Sequence, residues 1–186
     1  DRLLQLKVRH YNEGMNSYTL GDNKSASEHF ESAALISVNP LVNSADTTMM
    51  YYAGLTANMY GDPNRAINFF ELALKNNFDS NGDLFSNLSE AYKKIENPDK
   101  AKETLLAGFT KYPLNQSILV SLINLYLETN DDPNKVLDLI RKAQENEPTN
   151  ASLHYAEGNV WKKLNNMEKA IACYRKSVEV DPSYVF

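Results

Sequence analysis

The side chains that could do chemistry in this chain are few: three histidines, one cysteine and a scatter of carboxylates, set beside eleven tyrosines that could instead recognise a partner. A thiol nucleophile needs a base within hydrogen-bond reach. His154 opens one predicted helix and Cys173 lies midway along its antiparallel partner, so the two are not level, and Cys173 reads as a small buried or half-buried hydrophobe. His10, His29 and His154 are scattered, and no His/Cys/Asp group has the spacing of metal ligands. One thiol makes neither an internal disulfide nor a zinc site. The seven glycines stand apart from one another, so no phosphate-cradling loop is present. The expectation is a protein that is not an enzyme, with no catalytic residues, no metal and no cofactor.

The totals exclude other classes. The formal net charge is −5, and Lys and Arg are spread among Asp and Glu. Without a basic block to neutralise phosphates, nucleic acid is not an expected partner. No apolar run approaches the roughly 20 residues that cross a bilayer, so membrane insertion is not expected either. Apolar residues at 42% and charged residues at 23% describe a globular chain. The compartment stays open. The chain starts at Asp1 and not at Met, which reads as processing or as a piece of something longer.

An internal period marks out the helices that carry these residues. Pro63, Pro98 and Pro133 stand 35 residues apart, each in the same string: Asp62-Pro63-Asn64-Arg65-Ala66, Asn97-Pro98-Asp99-Lys100-Ala101 and Asp132-Pro133-Asn134-Lys135-Val136. Asn166-Met167-Glu168-Lys169-Ala170 repeats the string without proline, and Asp22-Asn23-Lys24-Ser25-Ala26 is a looser copy. Asp or Asn caps the free amides of a helix start, and proline is tolerated at the first helical position. Each string therefore opens a helix. A second series, Pro113, Pro148 and Pro182, stops those helices. Between the stops lie paired amphipathic segments with apolar residues three and four apart. Leu153, Gly158, Trp161 and Leu164 mark one such segment; Ala170, Ile171, Tyr174 and Val178 mark its partner. No window alternates with period two over a strand's length.

These residues resemble the tetratricopeptide repeat. In 151–184 the match is Gly158, Trp161, Ala170, Tyr174 and Pro182; in 117–150 it is Ile123, Leu127, Val136, Ile140, Ala143 and Pro148. In 82–115 it is Phe85, Leu88, Tyr92, Ala101, Leu105 and Pro113. In 47–80 it is Gly54, Ala66, Phe70 and Ala73, with Phe78 where proline is usual, and in 7–40 it is Gly14, Ala26, Phe30 and Ala33, with Pro40 two residues late. The resemblance implies an all-α fold, a right-handed α-solenoid of about five helix–turn–helix repeats forming a single domain over 1–186. Helix starts are expected near Asp62, Asn97, Asp132 and Asn166. Gly in a helix costs roughly 1 kcal/mol against Ala. Gly14, Gly54 and Gly158 make sense where the second helix crosses closely, with Ala26, Ala66, Ala101 and Ala170 facing them. The insertion Leu41 to Asp46 is expected to bend or loosen the stack. Pro182 to Phe186 reads as the beginning of another helix, so an apolar strip with some of Ile171, Cys173 and Val178 is expected to be covered by a neighbouring molecule, a dimer partner or further residues of the native chain.

By the family's architecture the first helix of each repeat lines a concave groove. The groove residues are then Tyr11, Met15 and Tyr18; Tyr51, Tyr52, Leu55 and Met59; Asn87; Leu125; and Tyr155 and Asn159. Ser86, Leu122, Asn58, Lys93 and Lys162 share those stripes. Tyr and Met suit adaptable binding surfaces, and they concentrate in the amino-terminal half. The Lys/Asn/Arg cluster with which some members hold a peptide's terminal carboxylate is missing: the places carry Tyr11, Met15, Tyr52, Asp83 and Asn87. The expected function is a protein–protein interaction scaffold that binds a peptide or protein segment in the groove. The alternatives are a regulatory or assembly segment of a larger protein, such as a sensor or an envelope-assembly factor, and an accessory domain of an enzyme outside this fragment. The patch on the first two repeats is expected to be covered by the partner or by the segment Asp1 to Leu6.

Overall fold

The computed structural model describes residues 2–42, 44–78, 82–129 and 132–184. Among them stand ten helices and no strand: α1 (Arg2–Thr19), α2 (Asn23–Ser37), α3 (Thr47–Tyr60), α4 (Pro63–Lys75), α5 (Asp83–Lys94), α6 (Pro98–Lys111), α7 (Gln116–Glu128), α8 (Asn134–Asn146), α9 (Ala151–Lys163) and α10 (Met167–Val180). This is an all-α helical repeat fold. Val185 and Phe186, expected to lead into another helix, lie outside the described residues.

The repeated string does what its chemistry requires. The carboxylate of Asp62 accepts from Arg65 N at 3.0 Å, and the side chains of Asn97 and Asn166 accept from Lys100 N and Lys169 N at 3.1 and 3.2 Å. Each bond satisfies one of the four amides that a helix start leaves unpaired. At α8 Pro133 takes the cap position, and Asp132 accepts from Asn134 N at 3.0 Å instead. Pro113, Pro148 and Pro182 each stand two residues beyond a helix end, at Lys111, Asn146 and Val180.

Contacts group the chain into two compact units: residues 1–80 with 87–101, and residues 81–86 with 102–186. In the first, α1 packs on α2, α2 on α3 and α3 on α4. In the second, α7 packs on α8 and α9, α8 on α9, and α9 on α10. The insertion does not part its neighbours. Ser37 holds it, accepting from Ser44 N through its carbonyl at 3.2 Å and from Asp46 N through its hydroxyl at 3.0 Å. Asp46 then caps α3 by accepting from Met49 N. The expected loosening is therefore absent between α2 and α3, because the inserted residues are spent on a bonded turn.

The glycines sit at close crossings, and at each the nearest atoms across the gap belong to an aromatic ring. A Cβ on Gly14 would stand 3.0 Å from the Phe30 ring, one on Gly54 2.8 Å from Phe70, and one on Gly158 2.5 Å from Tyr174. In each case the ring lies sixteen residues on and one turn beyond the expected alanine. A helical side chain reaches toward the amino-terminal end of its own helix, which carries the ring to the glycine's level. At Gly54 the expected alanine shares the contact, through the Ala66 carbonyl at 3.1 Å. The third repeat inverts the arrangement: Gly108 lies on the second helix and meets Phe85 of the first, where a Cβ would come within 2.7 Å.

Candidate functional site

Phe30 and Phe70 are fully buried, and they become the floor on which the amino-terminal tyrosines rest. Tyr52 of α3 stacks on Phe30 of α2, with ring centroids 5.2 Å apart, and Tyr11 of α1 tilts against the same ring at 6.1 Å. Tyr51 stacks on Phe78 at 4.9 Å, tilts against Phe70 at 5.9 Å and meets Tyr52 edge-on at 5.8 Å. Tyr18 completes the cluster against Tyr52 at 6.1 Å. Offset and tilted rings at these separations are favoured by their quadrupoles. The physical chain is direct: a glycine admits a phenylalanine, and the phenylalanine seats tyrosines that keep part of their surface in solvent.

On the same two helices, α1 and α3, Met15 and Leu55 are half-buried and Met59 is open over 52% of its surface. Asn87 donates to the Tyr51 hydroxyl at 3.1 Å, which places it at the same edge. Lys94 Nζ donates to the carbonyl and the side-chain oxygen of Asn58, at 3.0 and 2.8 Å, so buried Asn58 is engaged within the fold. Of the residues expected to line a groove, Tyr11, Tyr18, Tyr51, Tyr52 and Asn87 are thus joined in the first unit by ring contacts and one hydrogen bond.

In the second unit Leu125 and Leu122 are corrections. Both are core residues, 2% and 0% exposed, because α7 packs on α8 and on α9 and spends its apolar surface on both. Tyr155 and Asn159 sit on α9 beside Gln116, Leu119 and Ile123 of α7, around a small pocket of about 30 Å³. Tyr174 donates to Asn159 at 2.9 Å, and Tyr155 contacts the rings of Tyr174 and Tyr184. These two residues are braced by the fold itself.

Two further expectations change. Residues 2–6 continue α1, so Leu3, Leu4 and Leu6 belong to a helix and do not fold back over the tyrosines. And the scattered histidines are not all apart: His10, Glu13 and His29 meet between α1 and α2, with their ligand-type atoms all within 4.8 Å of one another. Sequence reasoning missed this group because His10 and His29 lie nineteen residues apart and only the helix pairing joins them.

Cys173 and His154 stay separate in their bonding. His154 meets Gln144 at 3.2 Å and the Pro148 carbonyl at 3.0 Å. Half-buried Cys173 has its thiol pushed up to about 11, first by burial and then by the neighbouring Glu157 carboxylate. Glu157 is itself engaged by Gln144 at 3.0 Å, Trp161 at 3.3 Å and Arg141 at 3.7 Å. A thiol held protonated in this way is a poor nucleophile. On the other side of α10, Ile171, Tyr174, Arg175, Val178 and Glu179 line an open groove of about 380 Å³, with Ile171 45% exposed. Cys173 is not part of it.

Comparison with known proteins matches residues 151–184 to the tetratricopeptide repeat. No curated protein matches the chain. Among solved structures, MamA superposes with a TM-score of 0.65 at 16% identity, covering 96% of this chain and 93% of that one. MamA 41-end from Desulfovibrio magneticus RS-1 gives 0.62 at 18% identity, with 96% of each chain covered. YrrB, described as a TPR protein with an unusual peptide-binding site, gives 0.57 at 20% identity over 93% of this chain and 85% of that one. At these identities the likeness is one of fold.

Proposed function

We propose that this chain, whose residues 151–184 are a tetratricopeptide repeat and whose fold is that of tetratricopeptide proteins, is an interaction scaffold that takes a peptide or protein segment on the tyrosine face of α1 and α3. The carrying observation is the platform of Tyr11, Tyr18, Tyr51 and Tyr52 seated on Phe30, Phe70 and Phe78. Tyrosine supplies rigid contact area at small entropic cost, and Met15 and Met59 supply adaptable apolar contact beside it. Such a surface favours a segment with aromatic or aliphatic side chains, its backbone bonded by hydroxyl and amide groups at the edge. The solved structure of YrrB adds that this fold can carry a peptide site in another protein.

Affinity capture with the purified chain, followed by calorimetry on the recovered partner segment, tests the proposal. Tyr11→Ala and Met59→Ala should each weaken binding, the tyrosine by about tenfold or more, since truncating such an anchor costs about 2 kcal/mol. Tyr51→Ala should do the same, measured at a temperature where circular dichroism shows native helix, because Tyr51 also stacks on Phe78. If all three bind like the parent while Lys93→Ala or Lys162→Ala abolishes binding, the site lies elsewhere and the proposal fails.

A further inference from the structure

We infer that His10, Glu13 and His29 form a binding site for a divalent first-row transition ion of the zinc class, which ties α1 to α2. His10 and Glu13 are three apart on α1 and share one face of the helix; His29 reaches them from α2. The two Nδ1 atoms stand 3.1 Å apart. Two nitrogens bound to one ion at 2.0–2.1 Å lie about 2.9 Å apart at a right angle and about 3.3 Å apart in a tetrahedron. The observed separation falls between these limits. Glu13 Oε2 stands 3.5 Å from His29 Nδ1, close to the same tetrahedral edge. The third edge, from His10 to Glu13, is within 4.8 Å.

The surroundings suit a ligand set. Arg9 Nε donates to Glu13 Oε1 at 2.9 Å, fixing the carboxylate by one oxygen and leaving the other for the ion. Such an outer partner orients a ligand. All three ligand residues are half-exposed, so water can complete the coordination. Two imidazoles and one carboxylate suit Zn²⁺, Co²⁺, Ni²⁺ or Cu²⁺, whereas Mg²⁺ and Ca²⁺ prefer oxygen throughout. The ordinary alternative is a His–His hydrogen bond, in which one Nδ1 carries a proton that the ion would replace.

Titration calorimetry with Zn²⁺ and visible absorption of Co²⁺ added to the metal-free chain decide between them. The expected result is one tight equivalent of Zn²⁺ and a Co²⁺ spectrum of low-symmetry nitrogen–oxygen coordination, with a raised melting temperature in Zn²⁺ because only the folded chain presents the site. His10→Ala and His29→Ala should each weaken Zn²⁺ binding by about tenfold or more, and the His154→Ala control should not. Glu13→Gln keeps size and surface position, so it tests the site even where a histidine variant is poorly folded, and it too should weaken binding. Absence of a Co²⁺ spectrum and of Zn²⁺ heat in the parent overturns the inference. So does undiminished Zn²⁺ binding in Glu13→Gln together with a folded His10→Ala/His29→Ala chain.

Discussion

Replacing Gly54 by alanine sets two effects of opposite sign against each other. Alanine is the better helix former, by roughly 1 kcal/mol. Its methyl, however, would lie 2.8 Å from two carbons of the Phe70 ring and 3.1 Å from the Ala66 carbonyl oxygen. Ordinary carbon contacts run from about 3.5 Å, so ring and methyl must separate by about 0.7 Å. Phe70 has nowhere to go: it is fully buried, Tyr51 rests against it, and Ala66 O belongs to the backbone of α4. Overpacking of this kind costs about 1–3 kcal/mol, and an off-rotamer ring about 0.5–1.5 kcal/mol. Subtracting the propensity gain from these two costs together leaves a net loss of about 0.5–3.5 kcal/mol. With a urea slope of about 2 kcal/mol per molar, the midpoint followed by far-ultraviolet circular dichroism should fall by about 0.25–1.75 M. Gly158→Ala makes the comparison informative. Its Cβ would come within 2.5 Å of Tyr174, but that ring is half-buried and can swing outward, giving up its bond to Asn159 for about 1 kcal/mol. Gly158→Ala, followed by Trp161 fluorescence, should therefore cost less than Gly54→Ala. A Gly54→Ala midpoint at or above the parent's would refute the reasoning, since propensity would then outweigh the close approach.

Cys173, with its thiol pushed up to about 11, is about 0.1% thiolate at pH 8, against about a quarter for an ordinary thiol near 8.5. Because the shift is upward, its alkylation in the native chain at pH 8 should be about a hundredfold or more slower than that of free cysteine and should keep rising tenfold per pH unit toward 11; a rate within tenfold of the free thiol would contradict the burial described. The apolar groove of Ile171, Tyr174 and Val178 on α10 is expected to support weak self-association, seen by sedimentation at high micromolar concentration and removed by Ile171→Glu. Equal sedimentation of parent and variant as monomers would remove that surface from consideration.

The helices were legible because their signals are local. A capping Asp or Asn, a proline at the first turn and a second proline past the end act within a few residues, and they recur with the 35-residue period from Asp62 to Asp132. The small residues at Gly14, Gly54 and Gly158 announced close crossings for the same reason: glycine inside a helix costs stability unless something needs the space. What fills the space was not legible. Choosing between Ala66 and Phe70 depends on the relative shift of two antiparallel helices, a quantity that no spacing along one helix contains. The buried state of Leu125 shows the same gap, since one face of α7 meets two neighbours and the stripe pattern counts only one. So does the meeting of His10, Glu13 and His29, which is absent from any spacing in the chain and arises when α1 lies against α2. The elements, their caps and their period can be read along the chain, because they rest on short-range bonding. Which side chains share a surface is set in three dimensions, because it depends on how two helices slide and turn against each other before their side chains interlock.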